Sequence, residues 1–134
     1  MTLYGSQAII QGNSKSEENL LEPNDIARVA IDVASEKQAE DIVMLDLRGL
    51  VSFTDYFVIM SADSQRQLKA LQEDLIDALK GAGASLHHSE GTLQGGWMLL
   101  DFSDVIIHIF GSEQREYYRL DQLWASAPQV VRVL

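Results

Sequence analysis

Two pairs of side chains in the sequence could take part in catalysis or bind a metal ion. Asp101 and His108 are residue types that form acid–base pairs, and His87 and His88 are potential metal ligands. A hydrolase would also need a nucleophile, and the sequence contains no elbow motif that would present one. Adjacent strand residues point to opposite faces, so the two histidines cannot share an ion, and no third ligand is suitably spaced. We therefore expect no catalytic residue, no metal site and no cofactor.

Two apolar runs, residues 97–102 and 105–110, are separated by a Ser-Asp pair and predict a β-hairpin with a two-residue loop. The predicted cross-strand pairs are Phe102 with Val105, Asp101 with Ile106, Leu99 with His108 and Trp97 with Phe110. Because side chains alternate along a strand, one face carries Met98, Leu100, Phe102, Val105, Ile107 and Ile109, and the other carries Trp97, Leu99, Asp101, Ile106, His108 and Phe110. We call these the apolar face and the mixed face of the hairpin.

The two faces of the hairpin predict different surroundings. The apolar face is expected to lie in the core, because it carries no polar group. The mixed face combines aromatic rings with a carboxylate and an imidazole, which a purely structural layer would not require, and this favours a surface for a protein partner. In the alternative interpretation helices cover the mixed face, His108 bonds diagonally to Asp101 and Trp97 fills space.

The segment after the hairpin predicts a short helix, capped by Ser112, that carries the adjacent residues Tyr117 and Tyr118. Neighbouring side chains point about 100° apart on a helix, so we expect at least one tyrosine to be available to a partner. Exposed tyrosine and tryptophan near arginine are the residue types that dominate binding at protein interfaces. The apolar residues that follow are expected to pack on the sheet: Leu120, Leu123 and Trp124.

The rest of the pattern predicts the elements that would hold the hairpin in place. We expect a helix over residues 24–39 with Asn24 as its cap, strands over 42–47 and 56–60, a second helix that starts with a capping box of Ser64 and Gln67, and a weak edge strand over 84–90. Residues 1–23 lack a sustained apolar period and are expected to form a flexible leader. The folded domain is then expected over residues 24–134.

Composition narrows the class of protein. A chain of 134 residues is the size of one domain, and the absence of cysteine suits a reducing compartment, so we expect a cytoplasmic protein. No apolar run reaches the roughly 20 residues of a membrane helix, and we expect no membrane contact. The formal net charge is −10, which opposes binding to phosphate backbones. Little direct contact with nucleic acid is therefore expected.

Four stretches between Ile26 and Trp124 form a recognisable pattern. They are Ala39-Glu40-Asp41-Ile42-Val43-Met44-Leu45-Asp46, then Thr54-Asp55-Tyr56-Phe57-Val58-Ile59, then Glu90-Gly91 followed by residues 96–110, and finally residues 115–124. In this order and spacing the chain resembles the Iojap family, whose bacterial members are the ribosomal silencing factor S proteins. The chain departs from that pattern before Pro23, which has no counterpart there. It also carries Met60-Ser61-Ala62-Asp63 where a Ser-Gly or Thr-Gly turn is usual.

The resemblance implies a fold, a function and a set of contact residues. The fold would be a single α/β domain with a mixed sheet of about five strands flanked by helices, in a nucleotidyltransferase-like topology. The function would be to bind the large ribosomal subunit through ribosomal protein L-fourteen, to block joining of the small subunit and so to repress translation under nutrient limitation. By match to the family pattern, the partner contacts would be Trp97 and Tyr118, with Asp101, Asp104, His108 and Arg115 as weaker candidates.

Two other functions are compatible with the same residues. A degenerate nucleotidyltransferase would use Ser61, Asp63 and Asp101 in place of a loop serine and metal-binding carboxylates. That interpretation lacks the Gly-Ser pair that covers phosphates and the paired acidic motif that shares a magnesium ion, so we expect the protein not to be an enzyme. The other alternative is a homodimeric interaction module in which the aromatic residues pair with those of a second copy.

Overall fold

A computed structural model describes residues 21–134, and most of the predicted leader, residues 1–20, lies outside the described part of the chain. The elements in chain order are α1 Pro23–Glu36, β1 Glu40–Asp46, β2 Tyr56–Ala62, α2 Gln65–Gly81, β3 His88–Thr92, β4 Trp97–Asp101, β5 Val105–Gly111, α3 Ser112–Tyr118, α4 Leu120–Leu123 and β6 Gln129–Val133. None of the helices described over residues 21–134 has the length and apolar character that crossing a bilayer requires.

The strands form one mixed sheet in the order β3-β4-β5-β2-β1-β6. The pair β2–β5 is parallel, and the other neighbouring pairs are antiparallel. The predicted α/β class with a mixed sheet is confirmed, and β3 is an edge strand as expected. The sheet has a sixth strand, β6, which pattern analysis missed because its short run Gln129–Val133 gains its structure by pairing with the distant β1.

The N-terminal caps of α1 and α2 differ in how well the sequence predicted them. At α2 the Ser64 hydroxyl accepts a hydrogen bond from the Gln67 amide at 3.1 Å, as predicted. The Gln67 side chain also donates to the carbonyls of Lys37 and Gln38, which ties α2 to the turn after α1. At α1 the prediction of Asn24 as cap is wrong. The helix begins earlier, and Glu22 forms the capping box with Asp25.

The predicted hairpin register is confirmed. Trp97 lies opposite Phe110, Leu99 opposite His108 and Asp101 opposite Ile106. The loop has a left-handed residue, Ser103, at φ 76°, and the Asp101 side chain stabilises this unusual position by accepting the Ser103 amide hydrogen at 2.7 Å. The apolar face is buried against α1 and α2, again as predicted.

The mixed face of the hairpin is covered over its centre and open at one side. Residues that close over it come from the segment after β5 and from the loop between β1 and β2: Leu47, Val51, Leu120, Trp124 and Ala127. Phe110 is thereby fully buried, and Trp97 and Leu99 remain only half-buried. No residue of β3, on the outer side of β4, is buried. The open part of the mixed face therefore lies on β4, beside the exposed edge strand β3.

The helix that follows β5 is interrupted, contrary to expectation. Arg119 adopts the left-handed conformation, φ 50° and ψ 49°, which ends α3 and starts the short α4. This break rotates the residues after it. Leu120 is buried, but Leu123 is 72% exposed, so the prediction that it packs on the sheet is wrong.

Candidate docking site

Trp97 and Tyr118 form an aromatic pair at the open side of the mixed face. Their ring centroids are 4.6 Å apart, and the Phe110 ring supports the indole from inside at 4.9 Å. Contacts of this kind stabilise by about 0.5–1.5 kcal/mol each beyond the area that they bury. Trp97 is half-buried and Tyr118 is 45% exposed, so both predicted contact residues reach the surface.

Tyr117 extends the aromatic pair outward. It is 80% exposed, and its ring meets that of Tyr118 nearly at right angles, with centroids 5.0 Å apart. The helix that carries both tyrosines, α3, has no buried residue. The sequence predicted that at least one of these tyrosines would be available, and the structure exposes both.

A cleft of about 220 Å³ lies beside Trp97 on the open side of the sheet, lined by Glu90, Gly91, Trp97 and Leu99. Gly91 has φ +99°, and a Cβ atom there would collide with the Trp97 carbonyl oxygen. The chain can pass this close to β4 only because the residue has no side chain. Sequence reasoning did not identify Glu90 and Gly91 as lining residues, although a glycine inside a strand was a usable signal.

We define the aromatic surface as Trp97, Leu99, Tyr117 and Tyr118 together with this cleft. Its residues come from β4 and α3, and the backbone of β3 closes one side. The predicted carboxylates lie further away. Asp101 is four residues along β4 from Trp97, a separation of about 13 Å, and Asp104 is exposed in the loop beyond it. The aromatic surface is therefore separate from the loop that carries Asp104.

His108 lies beneath the aromatic surface and is only 4% exposed. Its Nδ1 accepts a hydrogen bond from Trp97 Nε1 at 3.1 Å. Desolvation by burial lowers the pKa of His108 from 6.5 to about 4, so the ring is neutral near pH 7. The alternative pairing of His108 with Asp101 does not occur. Asp101 is bonded to Ser103, and its carboxylate lies 3.4 Å from His88.

Arg115 is held inside a network of polar groups and is about 10% exposed at its side chain. Its guanidinium donates two hydrogen bonds to the Asp121 carboxylate and one to the Ser61 hydroxyl, and it lies 3.3 Å from Asp41. Burial alone would raise the pKa of Asp121, but the hydrogen bonds and charge of Arg115 outweigh it and hold that pKa below its usual value. This network connects α3 and α4 to strands β1 and β2.

The residues of the nucleotidyltransferase alternative do not converge. Ser61 and Phe110 are neighbours across β2–β5, and Phe110 pairs with Trp97, so Ser61 lies in the row of Trp97. Asp101 is therefore about 13 Å further along the sheet. Within residues 21–134 there is no group of three acidic, histidine or cysteine side chains that could hold a metal ion.

The fold and this surface together define a small α/β domain that exposes aromatic side chains on one side of a mixed sheet. The chain belongs to the ribosomal silencing factor family, because the family model described as "Ribosomal silencing factor during starvation" matches residues 21–133. The resemblance seen in the sequence is thus confirmed.

Individual relatives agree with the family assignment. The chain is similar to the Ribosomal silencing factor RsfS of Bacillus subtilis, with 35% identity over 103 residues that cover 77% of this chain and 87% of the relative. It is also 35% identical over 97 residues to the chloroplastic protein Iojap of Zea mays, covering 72% of this chain and 42% of that one. A crystal structure of a protein from Chromobacterium violaceum has a TM-score of 0.75 and 34% identity, covering 78% of this chain and 88% of that one.

Proposed function

We propose that this protein binds the large ribosomal subunit through ribosomal protein L-fourteen, using the aromatic surface, and thereby hinders joining of the small subunit. Translation would fall when nutrients are limiting, and the site of action would be the cytoplasm. The observation that carries the proposal is the exposed pair of Trp97 and Tyr118, supported from inside by Phe110. Tryptophan and tyrosine in such a supported position are typical centres of protein interfaces.

The charge of the chain favours a protein target on the ribosome over its RNA. The formal net charge is −10, and Glu90 lines the cleft beside Trp97. Nucleic-acid affinity depends on cationic side chains that displace counterions from phosphates, and the chain has 10 lysine and arginine residues against 20 aspartate and glutamate residues. This negative charge complements a basic patch on a protein and repels surrounding RNA.

To block subunit joining, the protein only has to occupy a surface of the large subunit, and no chemical step is needed. A bound domain of this size excludes any other body from the same volume, so its effect depends on its affinity and position alone. No catalytic group is required of the chain, which agrees with the separation of Ser61 from Asp101 along the sheet. The protein acts in this proposal as a binding protein and not as an enzyme.

Cosedimentation with purified large subunits tests the proposal. We expect Trp97→Ala and Tyr118→Ala each to weaken binding by roughly thirtyfold or more, because truncation at an interface centre costs about 2 kcal/mol or more. Phe53→Ala is a matched control, since this ring is 58% exposed but lies in the loop before β2, away from Trp97. Full binding by the Trp97→Ala, Tyr118→Ala double variant would contradict the proposal.

Purified L-fourteen and protein-free ribosomal RNA separate the two kinds of target. We expect saturable binding to L-fourteen and none to the RNA at the same concentration. A second copy of the chain is the other occupant that the aromatic surface would accept, because self-association would cover the same exposed rings. Light scattering with and without L-fourteen tests this, and competition is expected if a homodimer uses the aromatic surface.

A further inference from the structure

We propose that His108 is a positioning residue of the aromatic surface: it anchors the Trp97 indole through a hydrogen bond and holds the ring beside Tyr118 in the orientation that a partner meets. The inference rests on the proposed function, since it assigns His108 a role in docking. His108 does not touch the partner in this proposal, because it is only 4% exposed and lies beneath Trp97.

The hydrogen bond determines the tautomer of His108. An indole N–H can only donate, so His108 Nδ1 must offer a lone pair to Trp97 at 3.1 Å. The ring proton is then on Nε2. That atom is buried and has no hydrogen-bond partner among the described residues. The nearest ring is that of Phe57, at 4.6 Å between centroids and 74° between planes, which allows at most a weak N–H contact with the aromatic face.

The Nε2–H group of His108 lacks an acceptor among the described residues, and this destabilises the fold. A buried donor that lacks an acceptor is destabilising, and an aliphatic side chain of similar size would fill the same space without that penalty. His108 also sits among other rings, with Phe110 stacked at 6.2 Å and 11° between planes. The core alone therefore gives no reason for an imidazole here. The bond from Nδ1 to Trp97 does give one.

The anchor also decides how a partner can recognise Trp97. The indole has one donor, and that donor is already used on His108. A partner must therefore contact the ring by its face, with an apolar side chain or a planar guanidinium, and needs no hydrogen-bond acceptor there. Because the ring is already fixed, binding does not have to immobilise it, which removes a part of the entropic cost of association.

Two substitutions separate the hydrogen bond from the packing. His108→Asn keeps an acceptor oxygen close to the place of Nδ1, and His108→Leu fills the space without an acceptor. The first readout is the indole N–H resonance of Trp97 in the free protein, assigned with Trp97→Phe. The chain has one other tryptophan, Trp124, whose indole signal serves as an internal reference. We expect the Trp97 signal to move upfield and to exchange faster in His108→Leu, and to stay near its wild-type position in His108→Asn.

The second readout is affinity for purified large subunits. We expect His108→Leu to bind about three- to tenfold more weakly, the range that corresponds to immobilising one side chain, and His108→Asn to bind within about twofold of wild type. An unchanged indole signal in His108→Leu would overturn the inference, and so would a displaced signal with undiminished binding. Wild-type protein that fails to bind large subunits would overturn the proposed function instead, and the docking role of His108 with it.

Discussion

His108 makes the stability of the fold depend on pH. Burial lowers its pKa from 6.5 to about 4, so between these values the unfolded chain binds more protons than the folded one. The contribution of the neutral ring to stability is complete above pH 6.5 and is lost as the pH falls through 4. From pH 7 to pH 4.5 we expect the free energy of unfolding to drop by about 2 kcal/mol on account of this residue.

Urea unfolding of wild type and His108→Leu at both pH values measures this contribution. The leucine variant lacks the titrating group, so its free energy of unfolding should fall less on acidification. Other acid-sensitive groups, such as the Asp121 carboxylate with its lowered pKa, act equally in both proteins and cancel in the comparison. An equal fall in the free energy of unfolding of the two proteins would mean that the imidazole of His108 is solvated in the folded state.

Gly91 is the residue on which the approach of β3 to β4 depends. Its φ of +99° strains any other residue, and a Cβ would in addition meet the Trp97 carbonyl. Gly83 has a similar φ of +101° but open space around it, so Gly83→Ala is the matched control for backbone strain. We expect Gly83→Ala to cost about 1 kcal/mol, and Gly91→Ala to cost at least about 2 kcal/mol more because of the collision. An equal loss of unfolding free energy in the two variants, measured with urea, would show that β3 shifts to accommodate the Cβ atom without a measurable energetic cost.

At the scale of elements, Arg115 connects α3, the helix that carries both tyrosines, to α4 and to the sheet. Its guanidinium donates to both carboxylate oxygens of Asp121 and to Ser61 from three separate nitrogens, a planar geometry that the single ammonium nitrogen of lysine does not reproduce. We expect Arg115→Lys to lower the free energy of unfolding by about 2 kcal/mol, because the pairing is largely buried. Arg132→Lys is the matched control.

The control arginine also forms a double hydrogen bond, to Asp41, but its side chain is 36% exposed. Solvent screening limits such a pair, so we expect Arg132→Lys to cost less than about 1 kcal/mol in the same urea experiment. Both arginines contact Asp41, so the comparison tests burial within one network. Similar costs for the two variants would contradict the view that the buried Arg115 contributes more than the exposed Arg132. The Arg115 side chain acts in this view on the position of α3 and not on a partner directly.

At the scale of the whole molecule, a chain with 20 aspartate and glutamate residues and 10 lysine and arginine residues exposes Trp97, Tyr117 and Tyr118 on one side of the sheet. Acidity discourages contact with phosphate, and in the proposed function the aromatic surface supplies the specific contact. The two properties are complementary in the proposed function, in which the chain binds one protein on an RNA-rich particle. The family model matches residues 21–133, a range that contains every residue of the aromatic surface.

The amino-acid sequence alone was sufficient for those features that depend on neighbours along the chain. The alternation of residues 97–110 predicted the hairpin register and its buried apolar face, because a period of two leaves one arrangement with an apolar core side. The Ser64 cap likewise follows from the few residues around it. The family resemblance used the same local motifs and predicted the fold class.

Tertiary structure decided the features that depend on residues far apart. Val131 of β6 becomes part of the sheet only by pairing with Met44, and the left-handed Arg119 turns Leu123 outward although its spacing from Leu120 suggested burial. The segments that pack against the mixed face also could not be predicted from the local sequence pattern. Alternation assigns a side chain to a face, but whether that face meets water or another segment depends on how distant elements pack. This is why His108 is found bonded to Trp97 and buried beneath it.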